Sequence, residues 1–135
     1  MKKILIIDAQ GGGIGRQLVT EIKKSELNVE ITAVGTNSAA TEQMLKAGAD
    51  HVATGVNPVI VNSRKADIIV GPVGIVIADA MYGEISPEMA CAVGQSNAVK
   101  ILIPINHCDN YIAGFEDTNI KLLIKDAIEK LKKLL

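Results

Sequence analysis

The stretch Lys3 to Val19, KILIIDAQGGGIGRQLV, limits the possible folds of this chain more than any other segment. The apolar run Ile4, Leu5, Ile6, Ile7 ends in Asp8; the glycines Gly11, Gly12, Gly13 and Gly15 follow, and an amphipathic segment runs from Arg16 to Lys24. An apolar run bounded by a turn reads as a strand buried on both faces, the habit of parallel sheets. Parallel strands need a crossover, and the helical pattern directly after the glycines supplies one. A buried strand, a tight glycine loop and a helix N-terminus together make a device that can hold phosphate. Gly places no side chain between backbone and ligand, and the first helical N–H groups point outward with the positive end of the dipole behind them.

The rest of the chain repeats the alternation. Val29 to Gly35 (VEITAVG) reads as a second strand, and any of Thr36, Asn37 and Ser38 can cap a helix over Ala39 to Ala47, with Gly48 as its stop. His51 to Thr54 is short enough for an edge strand, and Asn57 with Pro58 resembles a cap and first-turn pair for a brief helix. Ala66 to Gly74 (ADIIVGPVG) is a buried strand running into a small-residue loop, as a cleft at the C-terminal edge of a parallel sheet requires. Ile75 to Met81 is apolar and reads as a helix start or a partner-facing surface. Ser86-Pro87-Glu88 opens a helix to about Gln95, with Cys91 as a small buried residue in it; Val99 to Ile105 is a strand whose Pro104 marks an edge or an end. Tyr111 to Phe115 is either a short extra strand or loop. Thr118 then caps a C-terminal helix with an apolar stripe at Ile120, Ile124, Ala127, Ile128, Leu131 and Leu135; Lys121, Lys125, Lys132 and Lys133 lie mostly off it. The expected fold is α/β, a single Rossmann-like domain over residues 1–135 with a mostly parallel sheet and helices on both faces.

Composition agrees with this and narrows the partners. Apolar residues make up 48% of the chain with one Phe, two Tyr and no Trp, so the core is aliphatic, as covered parallel strands require. A net charge of −1 with no basic tract points away from general nucleic-acid and membrane-surface binding. No stretch approaches the roughly 20 apolar residues of a membrane span, and no signal peptide is visible. Cys91 and Cys108 have no ligand spacing and suit a reducing compartment, so a cytoplasmic location is expected.

The glycine loop departs from G-x-G-x-x-G, since the sixth position from Gly11 is Arg16. Asp8-Ala9-Gln10-Gly11-Gly12-Gly13-Ile14-Gly15 resembles the T-G-x-x-x-G-I-G loop of short-chain dehydrogenases, with Asp8 at the threonine and Ala9 at the first glycine. Such a loop, placed in a βαβ unit of about 30 residues, implies a phosphate-bearing small-molecule ligand, against a glycine turn needed only for packing. The catalytic Y-x-x-x-K pair of that family is absent: Tyr82 is followed four places on by Ser86, and Tyr111 by Phe115. In NAD-binding folds an acid at the exit of the second strand holds the ribose, but here that exit reads Gly35-Thr36-Asn37-Ser38. NADP or a mononucleotide therefore fits at least as well as NAD. A carboxylate at Asp8 repels phosphate unless it binds Mg²⁺ or a ribose hydroxyl, or is held away by backbone N–H groups.

The expected cleft has Asp8, Gln10, Gly11, Gly12, Gly13, Ile14 and Gly15 at the phosphates. Thr36, Asn37 and Ser38 meet the sugar, and Gly71, Pro72, Val73 and Gly74 form the opposite lip. Other chemistry is sparse. Asn106 to Asn110 (NHCDN) is a polar cluster at a strand exit, but adjacent residues such as His107 and Cys108 point apart on an extended chain, and no second cluster completes a metal site with Asp109. Asp79 and Glu84 are a candidate carboxylate pair, but Asp79 as a residue that caps or ends a helix and Glu84 as a solvated loop residue is the favoured reading, since nothing in the sequence raises either pKa. His51 reads as structural or solvent-facing.

The segments IDAQGGGIG, VGTNS, LKAGAD, ADIIVGPVGIVIADAMYGEI and AVGQSNAVKILIP together resemble a family of short, uncharacterised Rossmann-like proteins from clostridia and related anaerobic bacteria. The resemblance covers nearly the whole chain and implies the fold and a single-domain boundary, without assigning catalytic residues. Three roles fit these readings. One is a nucleotide- or dinucleotide-binding module. Another is a small enzyme acting on a nucleotide or phosphorylated metabolite through Asp8, Asp79 or His107. The third is a homo-oligomeric assembly protein with a vestigial loop and Ile75 to Met81 as its contact face, although an aliphatic stretch of this kind is more often core than interface.

Overall fold

Seven-residue strand β1 (Lys2–Asp8) lies at the centre of a five-stranded parallel sheet of order β3-β2-β1-β4-β5. The structure is a computed structural model and describes residues 1–105, 110–116 and 119–135. The chain runs β1, α1 (Gly13–Lys24), β2 (Val29–Gly35), α2 (Ser38–Lys46), β3 (His51–Thr54) and α3 (Val56–Ser63). It continues through β4 (Ile68–Pro72), a 3-10 turn (Val73–Val76), α4 (Pro87–Gln95), β5 (Val99–Ile103) and α5 (Ile120–Leu134). All four strand pairings are parallel, with Ile6 opposite Ala33 on one side and Val70 on the other.

The two faces of β1 explain why its sequence is apolar without alternation. Ile4 and Ile6 pack with Leu18, Ile22, Met44, Ile124, Ile128 and Leu131, under α1, α2 and α5. Leu5 and Ile7 pack with Val59, Met89 and Val93, under α3 and α4. Side chains alternate across a strand, so a helix layer on each side demands an apolar residue at every position. The chain winds from β1 outward to β3, then returns to β4 beside β1, so the strand order reverses between β1 and β4. Ligands of open α/β sheets bind beyond the strand ends at such a point.

Several local expectations need correction. Gly12 is the cap of α1 and Gly13 its first residue, so part of the glycine run is helical rather than loop. Gly55, at φ +108°, turns the chain straight out of β3, and α3 starts at Val56 ahead of Asn57, which therefore is not its cap. Helix α5 is capped by Asn119, whose side chain accepts from the Lys121 N–H at 2.8 Å; Thr118 lies outside the described residues. Cys91 is exposed on α4 rather than buried, and Leu135 is exposed beyond the packed stripe of α5. Ile75, Ala80 and Met81 are buried against the chain's own core, so the stretch expected as a helix start or partner surface is a 3-10 turn and an inward-packed loop. Ser86 caps α4 as expected, accepting from the Met89 N–H at 3.2 Å.

Candidate functional site

The first loop is shaped from below by a buried carboxylate. Asp8, the last residue of β1, turns its side chain under the start of α1, where Oδ1 accepts from the Ala9 N–H at 2.8 Å and Oδ2 from the Gly15 N–H at 2.6 Å. It thus serves one of the orphan donors of the helix N-terminus from inside the protein. Burial pushes its carboxyl above the usual range; the Gly15 and Ala9 hydrogen bonds pull the other way, and the charge of Glu84 adds to the rise.

The glycines divide by function. Gly12 sits at φ +73°, and a Cβ there would lie 2.8 Å from the Ala40 Cα. A Cβ on Gly15 would lie 2.6 Å from the Met44 sulfur and 2.9 Å from the Asp8 Cβ. These two let α1 close onto α2 and β1. Gly11 and Gly13 are exposed, and a Cβ on either would meet nothing within 4 Å. Among the described residues, the N–H groups of Gly11 and Gly13 have no protein acceptor. Packing and an open backbone coexist in one loop.

The second loop is tied to the first by a residue from the far side of the sheet. Glu84 lies in the turn between the 3-10 segment and α4. Its Oε1 accepts from the Gln10 N–H at 2.8 Å, the Thr36 hydroxyl at 2.6 Å and the Asn37 side-chain amide at 2.9 Å. Asn37 also donates to the Gln10 carbonyl at 3.0 Å and, through Oδ1, caps α2 by accepting from the Ala40 N–H at 2.9 Å. Both backbone groups of Gln10 are thereby fixed in its left-handed conformation, φ +51°. Burial of Glu84 works against its charge, but the hydrogen bonds from Thr36, Gln10 and Asn37 outweigh it and hold the carboxyl below its ordinary range. The turn that presents Glu84 places Asp79, Met81 and Tyr82 at φ between +56° and +65°. Such backbone persists only where surrounding contacts over-determine it.

The structure brings together most of the residues expected at the cleft. Asp8, Gln10 to Gly15, Thr36 and Asn37 cluster at the ends of β1 and β2, whereas Ser38 is exposed at the start of α2. Gly71 and Pro72 are buried in β4, where a Cβ on Gly71 would stand 2.5 Å from the Ile7 carbonyl oxygen. Val73 and Gly74 line a cavity of about 30 Å³ with Pro72, Ile77, Ala80, Met81, Ile105 and Asn110, about the volume of one water. Met81, from the loop before α4, packs against Gly74 on the β4 side, where a Cβ on Gly74 would stand 2.8 Å from its Cε. A groove of about 630 Å³ between α1 and α5 is lined by Arg16, Lys24, Lys121, Lys125 and Lys132 with Glu21 and Glu129.

Asp79 and Glu84 do not form a carboxylate pair: Glu84 is engaged with the first two loops, and Asp79 is exposed. Asn106, His107, Cys108 and Asp109 lie outside the described residues. Among the described residues no cluster of His, Cys, Asp and Glu could hold a metal, and no helix is long and apolar enough to cross a membrane. His51 is exposed on β3, its Nε2 3.6 Å from Glu30 Oε1. Glu84 is the residue whose role sequence reasoning missed, because 48 positions separate it from Thr36. The missing acid at the β2 exit was the one available hint.

The sequence matches the family described as Domain of unknown function (DUF3842) over residues 3–135. The chain belongs to that family. No curated protein matches it in sequence. Among solved structures, it is similar to the apo histidine-tagged saccharopine dehydrogenase (L-Glu forming) from Saccharomyces cerevisiae, with a TM-score of 0.51 and 12% identity over 84% of this chain. This DUF3842 chain spans only 23% of the length of that dehydrogenase. A dodecameric FMN-dependent Ubix-like decarboxylase from Escherichia coli O157:H7 gives a TM-score of 0.46 and 18% identity over 98% of this chain and 77% of its own. The first likeness agrees with the Rossmann-like fold and is a likeness of fold alone.

Proposed function

We propose that this chain is a nucleotide-binding module whose ligand phosphates lie over Gly11 and Gly13 at the N-terminus of α1. The observation that carries the reading is the division of the glycines. Packing explains Gly12 and Gly15, yet Gly11 and Gly13 leave bare backbone and two N–H groups without protein acceptors at a helix start. Backbone N–H groups at a helix N-terminus favour negative charge and hydrogen-bond phosphate oxygens. Asp8 does not oppose this from the front, since Ala9 and Gly15 hold its carboxylate beneath the loop. The place at the strand-order reversal, and the likeness of this fold to that of a dehydrogenase, point the same way.

The sugar then lies toward Thr36 and Asn37 at the β2 exit, because Met81 and Ala80 narrow the β4 side to a cavity of about 30 Å³. A thermal-shift screen against NAD, NADP, ATP, GTP, flavins and coenzyme A, with and without Mg²⁺, tests the reading. A ligand at a hundred times its dissociation constant adds about 2.7 kcal/mol of stability. A selective rise in melting temperature is the expected result; no rise with any of them would overturn it.

A further inference from the structure

A nucleotide at this loop meets an unusual β2 exit, because the side-chain donors of Thr36 and Asn37 are already spent. The Thr36 hydroxyl donates to Glu84, and the Asn37 amide donates to Glu84 and to the Gln10 carbonyl. These are the groups that a 2′-phosphate on the ribose would need. What the exit offers instead is a carboxylate, delivered from the turn before α4. Its Oε1 is fixed by three donors from two different loops, while Oε2 meets no protein donor among the described residues. An ionised carboxylate only accepts hydrogen bonds, so Oε2 suits a hydroxyl donor and repels another acceptor.

We infer that Glu84 is the ribose-recognising carboxylate of this chain, and that it selects nucleotides with free ribose hydroxyls over those bearing a 2′-phosphate. The inference rests on the nucleotide reading above and narrows it. In dinucleotide-binding folds the acid that holds a ribose 2′-hydroxyl comes from the end of β2. Here β2 ends in Gly35, whose Cβ would stand 2.5 Å from the Thr41 backbone nitrogen, so the strand end has no room for an acidic side chain. Glu84 brings the carboxylate to the same edge from the other half of the sheet, its hydrogen bonds spanning the Gln10 loop and the residues after β2. A 2′-phosphate there would face the Glu84 charge. On this inference NAD fits better than NADP, where the sequence alone favoured neither.

Isothermal titration of the full chain with four probes decides it: ADP-ribose, 2′-phospho-ADP-ribose, NAD and NADP. The expected result is at least tenfold tighter binding of each unphosphorylated probe than of its 2′-phosphorylated partner. In Glu84→Gln, which keeps a carbonyl acceptor for the loops and removes the charge, the ratio should shrink tenfold or more. Equal or tighter binding of the 2′-phosphorylated probes to the wild-type chain would overturn the role of Glu84 while leaving the nucleotide reading intact, whether or not the variant folds. An unchanged ratio in a folded Glu84→Gln chain would do the same. Failure of all four probes to bind would overturn the role of Glu84, and the nucleotide reading would then stand or fall on the wider thermal-shift screen.

Discussion

Replacing Gly13 by Asp separates the ligand role of the glycine loop from its packing role. Gly13 is the first residue of α1, and a Cβ there would meet nothing within 4 Å, so the larger side chain enters solvent without displacing a neighbour. Removing a helical glycine gains roughly 0.5–1 kcal/mol, and an acid in the first turn gains about 0.3–1 kcal/mol from the dipole. Repulsion from Asp8 and Glu84 takes some of this back. The variant should therefore lie within about 1 kcal/mol of the wild type, a shift of roughly 4 °C at most in melting temperature. Binding should respond very differently. A carboxylate about 4 Å from a phosphate, at an effective dielectric near 20, costs about 4 kcal/mol, close to a thousandfold in affinity. Thermal shift with ADP-ribose at a hundred times the wild-type dissociation constant reads both effects. The wild type should gain about 2.7 kcal/mol and the variant less than about 0.1 kcal/mol. A folded Gly13→Asp chain that retains the full shift would refute phosphate binding at this loop, and an unfolded one would refute the division of the glycines.

Gly15→Ala should show the opposite pattern, because its Cβ would press on the Met44 sulfur and the Asp8 Cβ. Overpacking of this kind costs typically 1–3 kcal/mol, measurable as a lower midpoint in urea. The two carboxylates should respond to pH with opposite signs. Glu84 is lowered from 4.5, so the stability it lends is fully present above that value and is lost as pH falls through its folded pKa. Asp8 is raised from 3.8, so its ionisation costs stability: between that value and its folded pKa, acidification stabilises the fold. Urea titrations across this range on Glu84→Gln and Asp8→Asn should remove the falling and the rising contribution respectively, and the same slope in both would refute the assignment.

The order of elements was legible because each carries its own punctuation. Strand β2 runs over Val29–Gly35 as its alternation and terminal glycine predict, and α4 starts behind Ser86 and Pro87 as the cap and first-turn proline require. Errors fell where neighbours, not local sequence, decide. Cys91 is exposed because the packed face of α4 is carried by Met89, Ala90 and Val93, and a nine-residue helix buries one stripe. Ile75 to Met81 resembled a surface because it is apolar without a helical or strand period, yet three left-handed residues, Asp79, Met81 and Tyr82, fold it back onto the core.

By itself the sequence determined the parallel α/β fold, a first strand buried on both faces and a glycine loop at a helix start. Hydrophobic periodicity, glycine placement and caps act over a few residues and leave their record in order along the chain. Only the tertiary structure decided which glycines pack and which stay open, where the Asp8 carboxylate turns, and that Glu84 reaches the β2 exit. Each of those depends on atoms brought within about 3 Å of one another from segments far apart in sequence. No local pattern encodes that approach; it exists once the sheet has put the ends of β1, β2 and β4 side by side.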